Sequence, residues 1–437
     1  MPDDCGSVSV STSCAAMAAS VAEPPLATML AATSLAYLSA VATMPARGGV
    51  ASLHAATSSI NVSVKYLVAF SIKKYLILLL SDHNLISAIS AIDAIPQLTE
   101  SVNQMNVKPG ARNLITDVDG LTVGSAHSDR FATGATVILP AGGAVAAVDV
   151  RGGAPGTRDT SALDPACLVE KVHAIVLSGG SVFGLDAAGG VTSHLASMGV
   201  GMEFGGHSIP VVPSAILFDL TFGPDKNWGF IPPYRELGIT AAQGAGLSFQ
   251  LGNTGAGYGA TAGRLKGGLG SASCEFEGFT VGALVAVNPV GSCINPATGD
   301  LWARPFELAG EFGPAPEAVS DPAGLLPLAH SKLDGRFAGG NTTIALVATD
   351  ATLTKSQTQR LAVMASDGMA RAIRPLHTPF DGDSIFALAT CRRKIGGDPA
   401  VALALLGSLA ADCMARAIGR AMTSAENLHG WRAWRAS

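Results

Sequence analysis

From residue 113 onward, short β-branched runs alternate with glycine-rich turns and stretches of small residues. Residues 136–139, 144–150 and 174–177 read as strands, each closed by proline or glycine. In 280–287 and 343–348 the apolar residues run almost without interruption, which predicts strands buried on both faces. A further strand is expected over 384–388, after an Asp-Gly turn signal. Residues 247–251, Leu-Ser-Phe-Gln-Leu, alternate instead and predict a half-exposed strand. Helices are expected over 184–198, an Ala/Gly-rich stretch, and over 235–245. Thr354-Lys355-Ser356-Gln357 has the capping-box spacing, in which hydroxyl and amide each satisfy an orphan backbone N–H. The helix it opens should run to residue 373, present Leu361, Met364, Ala365 and Ala372 on its apolar face, and stop at Arg374-Pro375. Such a mixture implies layered sheets covered by helices, an α/β (α+β) class.

Composition changes the picture at the N-terminus. Three of the 51 glycines fall within residues 1–104, and the remaining 48 fall in the next 333 positions, so a boundary is expected near Gln104. Residues 26–44 form an uncharged Ala/Ser/Thr-rich run close to the ~20 residues that a membrane helix needs. The chain starts Met1-Pro2-Asp3-Asp4, acidic where a signal peptide is basic, and the second apolar stretch, 66–80, is broken by Lys73 and Lys74. The favoured reading is an atypical Ala/Ser-rich accessory or disordered leader, or an overcalled start with Met105 as initiator, followed by a folded domain over 105–437. Membrane attachment is the disfavoured alternative.

Charge and cysteine content exclude several partners. With 28 Lys+Arg against 33 Asp+Glu there is no basic field for nucleic acid. Seven scattered cysteines contain no CxxC pair and the nine histidines no HExxH, so neither a disulfide framework nor a metal site is expected, and a reducing, cytoplasmic setting fits. No cofactor is required.

Two glycine motifs invite over-reading. Gly255-Ala256-Gly257-Tyr258-Gly259-Ala260 matches the letters of a dinucleotide fingerprint, but no buried parallel strand precedes it, so a tight loop is expected. Gly179-Gly180-Ser181-Val182-Phe183-Gly184 resembles a nucleophile elbow, yet Phe183 stands where a second glycine is needed. A loop presenting the N–H groups of Gly180 and Ser181 to a ligand at a helix start, or plain close packing, explains it better.

Gly339-Gly340-Asn341-Thr342-Thr343-Ile344 places hydroxyls at the mouth of a buried strand after a flexible glycine pair. The Thr342 hydroxyl can attack the Asn341 carbonyl, shift the acyl group to oxygen and leave an ester for water. The freed α-amine, titrating near ~7.7 to 8.0, can then act as base for its own hydroxyl. Glycine before β-branched residues is ordinary, so spacing alone favours a plain strand.

The wider text is more specific. Asn113-Leu114-Ile115-Thr116-Asp117-Val118, Asp149-Val150-Arg151-Gly152-Gly153-Ala154-Pro155-Gly156-Thr157, Val287-Asn288-Pro289-Val290-Gly291 and Gly340-Asn341-Thr342-Thr343-Ile344, with residues 177–187, 255–270 and 377–386, resemble the L-aminopeptidase/D-esterase family. These P1 peptidases include β-peptidyl aminopeptidases and the nylon hydrolase acting on 6-aminohexanoate oligomers. The resemblance implies a four-layer αββα sandwich of N-terminal-nucleophile type, self-cleaved into an α chain ending at residue 341 and a β chain of 96 residues, 342–437. It implies Thr342 as nucleophile, in the threonine version of the nylon hydrolase, and Asn288 as a donor to the developing oxyanion. Lys226, in Gly-Pro-Asp-Lys-Asn-Trp-Gly, matches the active-site lysine, and Asp381-Gly382-Asp383 the paired aspartates that hold the nucleophile's surroundings; two carboxylates so close can hold the α-ammonium and Lys226 or share a proton. Phe183 replaces a family tyrosine near the nucleophile and removes a hydroxyl there. Arg151 either binds a substrate carboxylate as a planar fork or ties down its loop. Amide hydrolysis of small peptides or amino-acid amides is expected, with acyl transfer of the ornithine acetyltransferase type and a non-enzymatic binding module as alternatives. A tetramer is expected from the family alone.

Overall fold

The computed structural model describes residues 107–316, 328, 330–333 and 341–435. The expectations for residues 1–104 and for the glycine pair at 339–340 lie outside the described residues.

Two main sheets are built within that region. The first contains β1 (Lys108–Pro109), β4 (Val145–Val150), β8 (Gly268–Phe276), β9 (Phe279–Val287), β10 (Ile344–Ala351) and β11 (Ser384–Arg393), in the order β1-β8-β9-β10-β11-β4. The second contains β2 (Leu121–Ser128), β3 (Thr133–Pro140), β5 (Thr157–Arg158), β6 (Ile175–Ser178) and β7 (Ser214–Ile216), in the order β2-β3-β6-β7-β5. Helices α1 (Asp186–Ser197) and α2 (Tyr234–Gln243) pack on the second sheet, and α3 (Lys355–Ala372) and α4 (Pro399–Ser424) on the first.

Side-chain alternation explains why the strands read as apolar runs. Ile344, Leu346 and Ala348 of β10 share a core with Phe386 and Leu388 of β11 and with Ile138, Ile175 and Leu177 of the second sheet. Ala345 and Val347 point the other way, against Leu361, Ala365 and Met369 of α3 and Met414 and Ile418 of α4. In the second sheet, Val137 and Val176 face Ala187 and Val191 of α1 and Leu237 and Ala241 of α2. Both faces of these strands are therefore buried, and each fully buried Leu, Ile or Val stabilises the fold by roughly 1.5–3 kcal/mol. The capping box forms as its spacing requires. Thr354 Oγ1 accepts from Gln357 N at 3.3 Å and Gln357 Oε1 accepts from Thr354 N at 2.9 Å. Leu361, Ala365 and Ala372 are buried and Met364 is half-buried. A Cβ on Gly368 would lie 2.1 Å from the Ala411 carbonyl oxygen, so α3 and α4 approach where no side chain fits.

Register assembles the site. β10 and β11 are parallel, with Ile344 opposite Ser384, while β9 is antiparallel to β10, with Ala286 opposite Ile344. β4 is antiparallel to β11, with Val150 opposite Ser384. The starts of β10 and β11 thus meet the ends of β9 and β4 at one edge, where Thr342, Asp381, Asp383, Asn288 and Arg151 all lie.

One expected strand is absent. Residues 247–251 are irregular. Contact with the β2 edge ends after the single bridge between Val123 and Gly246, and the chain turns away through Gly252, whose φ is +79°. The alternation is only partly reflected in burial, with Phe249 and Leu251 half-buried but Leu247 exposed.

Candidate active site

The Asn341–Thr342 peptide is held at both ends. Asn341 N–H donates to Phe380 O at 3.3 Å, and Thr342 N–H donates to the main-chain oxygen of Asn288 at 2.9 Å. The Thr342 hydroxyl donates to the Asn341 carbonyl oxygen. Gly382 N–H lies 3.0 Å from that same carbonyl oxygen and 3.2 Å from Thr342 Oγ1. A hydroxyl therefore sits against the carbonyl it would attack, beside a backbone donor placed where negative charge would develop. Gly382 is required at that position, since a Cβ would lie 2.5 Å from Ala154 O and 2.7 Å from Thr342 Oγ1.

The two aspartates hold main chain around this peptide. Asp381 accepts from Val290 N at 2.9 Å, Thr378 N at 2.9 Å and Thr378 Oγ1 at 2.6 Å. Burial, then the neighbouring Asp383 charge, pushes its pKa above the ordinary carboxylate range. Asp383 accepts from Thr343 N at 2.7 Å and pairs with His377 Nδ1 at 2.8 Å. Arg151 N and Gly152 N donate to Asp383 O at 3.0 and 3.2 Å, which packs the loop after β4 against the pair. The Arg151 side chain binds Asp149 through Nε at 2.6 Å, and an Nη reaches Val363 O at 3.4 Å.

Asn288 joins this cluster to the second sheet. Its Nδ2 donates to Phe218 O at 3.0 Å, and its Oδ1 accepts from Thr261 N at 2.9 Å and from Lys332 Nζ at 3.2 Å. The next residue, Asp219, is a fully buried carboxylate that accepts from Gly180 N at 2.8 Å and Thr133 Oγ1 at 2.6 Å. Burial raises its pKa, against the opposing charge of Lys226.

Gly180 and Lys226 gather around Asp219, and Phe183 packs nearby on Trp228. Lys226 Nζ donates to the carbonyl oxygens of Phe131 and Ala132, the latter at 3.1 Å, and burial lowers its pKa. Among the described contacts it touches neither Thr342 nor the aspartates; the lysine that reaches Asn288 is Lys332. The Gly180 N–H goes to Asp219 and the Ser181 N–H to Leu217 O at 2.9 Å. Close packing governs that loop, since a Cβ on Gly180 would lie 2.0 Å from the Tyr234 ring. Phe183 is 44% exposed and meets Trp228 edge-on at 5.4 Å.

An open depression of about 360 Å³ lies between the loop after β4 and the segment around Ser181. Ala154, Pro155, Ser181, Val182, Leu185 and Ile216 line it without a charged side chain. Ala154 and Pro155 are also the neighbours of Gly382, so one wall abuts the Thr342 hydroxyl.

Two buried lysines escaped the sequence reading. Lys266 Nζ donates to the carbonyls of Gly257, Ala260 and Gly267 at 3.1, 2.8 and 2.9 Å. Lys332 binds Asn288, and burial pushes the pKa of each lysine down to about 7. Lys266 lies inside the matched text 255–270 and was within reach of the reading, whereas Lys332 stands in a stretch with no pattern. Among the described residues no group of three His, Cys, Asp or Glu side chains could hold a metal ion.

Comparison with known proteins agrees with this geometry. The description of peptidase family S58 matches residues 113–435. The chain belongs to this family. Relatives of this S58 peptidase include an uncharacterized aminopeptidase of Mycobacterium tuberculosis, 41% identical over 338 residues that span 73% of this chain and 96% of the relative. The 6-aminohexanoate-oligomer endohydrolase of Kocuria sp. is 31% identical over 290 residues, 64% of this chain and 76% of that protein. The solved L-aminopeptidase D-Ala-esterase/amidase of Ochrobactrum anthropi, described as a variant of the Ntn hydrolase fold, superposes with a TM-score of 0.52 at 22% identity, over 73% of this chain and 88% of its own. This S58 peptidase is a hydrolase acting on peptide or amide bonds, with an α+β fold of the Ntn hydrolase kind. Helix α4 is long and apolar enough to cross a membrane by length and composition, but more than half of that stretch is buried within the fold.

Proposed function

We propose that this S58 peptidase cuts its own chain between Asn341 and Thr342 and then hydrolyses amide bonds of small peptides or amino-acid amides through an acyl-enzyme on Thr342. The observation that carries the reading is the Thr342 hydroxyl lying on the Asn341 carbonyl beside the Gly382 N–H. In processing, Oγ1 adds to the Asn341 carbonyl carbon and its proton passes to the departing nitrogen. The C–N bond breaks as the ester forms, and water hydrolyses the ester to the Asn341 carboxylate and the free Thr342 hydroxyl. The new α-amine stays on the Asn288 carbonyl, which already receives its N–H.

In turnover that amine takes the hydroxyl proton as Oγ1 attacks the substrate carbonyl, then gives it to the leaving amine. Water deacylates the ester by the same relay. Gly382 N–H and Asn288 Nδ2 are the proposed oxyanion donors, Asp381 and Asp383 hold the strand starts in register, and the uncharged depression takes the acyl part. The three hydrophobic cores support a four-layer αββα stacking. An assembly of four processed units is the proposed oligomer, by resemblance. Thr342→Ala should leave a single unprocessed and inactive polypeptide; a cut, active Thr342→Ala protein would exclude Thr342 as nucleophile.

A further inference from the structure

Lys332 is a lysine 7% exposed whose side chain reaches the asparagine that holds the Thr342 N–H. Its main chain is fixed, with N–H donating to Val290 O at 2.9 Å. Its ammonium has three donors and no acceptor, and it points at Oδ1 of Asn288, 3.2 Å away. The other neighbours of that oxygen are the Thr261 main-chain N–H at 2.9 Å, which is also a donor only, and the Thr261 hydroxyl, which donates to it at 3.3 Å. Two donors on one side leave the Asn288 amide a single orientation. The oxygen faces Lys332 and Thr261, and Nδ2 faces away, with one hydrogen on Phe218 O.

We propose that Lys332 is a positioning residue of this active site, fixing the side-chain amide of Asn288 and acting through its charge on the amine that Thr342 gains on cleavage. The proposal rests on the reading of Thr342 as nucleophile. Asn288 is the link, because its main-chain oxygen receives Thr342 N–H while its side-chain oxygen receives Lys332. Asp381 lies within electrostatic reach of Lys332 and favours its charged form, with Asp383 next to Asp381; the Cys293 thiol and the Lys266 ammonium also face Lys332. Burial brings the Lys332 pKa down to about 7, near the range in which a free α-amine loses its proton. Below that pH Lys332 carries its proton, and a neighbouring cation disfavours a second one, so Lys332 opposes protonation of the Thr342 amine over the same acid range. Lys332 lies upstream of the cut and stays with the α chain, so the nucleophile of one chain is tuned by a side chain of the other.

The probe is p-nitrophenyl acetate, whose acetyl group transfers to Thr342 Oγ1 with release of p-nitrophenol and is located by peptide mass spectrometry. Full-length wild type, Lys332→Met, Lys332→Arg and Thr342→Ala are compared from pH 5 to pH 10, after melting curves confirm that each is folded. In Lys332→Met the rising limb of the acylation rate should move up by about one pH unit, with a loss of about tenfold at pH 7. Lys332→Arg, which keeps the cation, should hold the limb near its original position. A Lys332→Met protein with the wild-type limb and rate would overturn the proposal. Should Lys332→Met not fold, Lys332→Gln against Lys332→Arg decides the matter: a limb moved only in Gln supports the tuning, and a limb unmoved in both overturns it. Acetyl label that never lands on Thr342 in the wild type, and is undiminished in Thr342→Ala, would refute the nucleophile itself, which is a separate result.

Discussion

Helix α4 is clamped to the rest of the fold by a buried ion pair whose loss can be measured. Arg416, 1% exposed, binds Glu311 through Nε to Oε1 at 2.5 Å and Nη2 to Oε2 at 3.0 Å, while Nη1 donates to Ser273 O at 2.8 Å. Asn113 completes the ring, its Nδ2 donating to Glu311 Oε2 at 2.6 Å and its Oδ1 accepting from Arg416 Nη2 at 2.8 Å. Every partner of Arg416 in this ring precedes residue 342, and Arg416 follows it, so the clamp spans the proposed cut. Glu311→Gln keeps the shape but removes the charge and turns one oxygen into a donor facing donors. An uncompensated buried charge costs about 3–5 kcal/mol. For a domain of this size that corresponds to a fall in Tm of about 4–7 °C by calorimetry. Replacing both partners in Glu311→Met/Arg416→Met should recover much of the loss, since an apolar pair leaves no orphan charge. A Glu311→Gln protein melting within about 2 °C of wild type would refute the claim that the clamp is desolvated and closed.

The same pair sets an acid limit. Burial opposes ionisation of Glu311, but the Arg416 hydrogen bonds and charge overcome it and hold its pKa below the ordinary value. A depressed folded pKa gives stability that is present above the unfolded value, near ~4.3, and lost as pH falls through the folded one. Unfolding scans below that value should therefore show a steeper loss in wild type than in Glu311→Gln. Gly382→Ala should slow self-cleavage by at least about tenfold while melting at a similar temperature or a few degrees lower, because its Cβ would press on both Ala154 O and the Thr342 hydroxyl; a time course on a denaturing gel reads it, and wild-type kinetics would count against the Gly382 N–H as oxyanion donor.

What the sequence made legible follows from what burial writes into it. β9, β10 and β11 are buried on both faces, so they appear as apolar runs, and Thr354 with Gln357 announces α3 by a local hydrogen-bond pattern that needs no tertiary context. The edge carrying Thr342, Asn288, Asp381 and Asp383 was reachable through matched text at strand ends. Helix α4 went unread because glycines at 407 and 419, which let Met364 and Phe312 pack close, dilute its apolar stripe. Gly382 acts through a backbone N–H, which no residue letter displays. Lys226 was named from its resemblance to the family motif, while Lys332 went unread because ordinary sequence context cannot distinguish a loop lysine from one folded back into the core. Only the long-range return of residues 330–333 onto Val290 and Asn288 reveals the difference.

Intact-mass measurement on freshly purified, folded wild-type protein tests the central claim most directly. The account predicts two species whose masses meet at the Asn341–Thr342 bond, the smaller beginning with threonine. A single full-length polypeptide that persists under conditions where amide hydrolysis is measurable would contradict it.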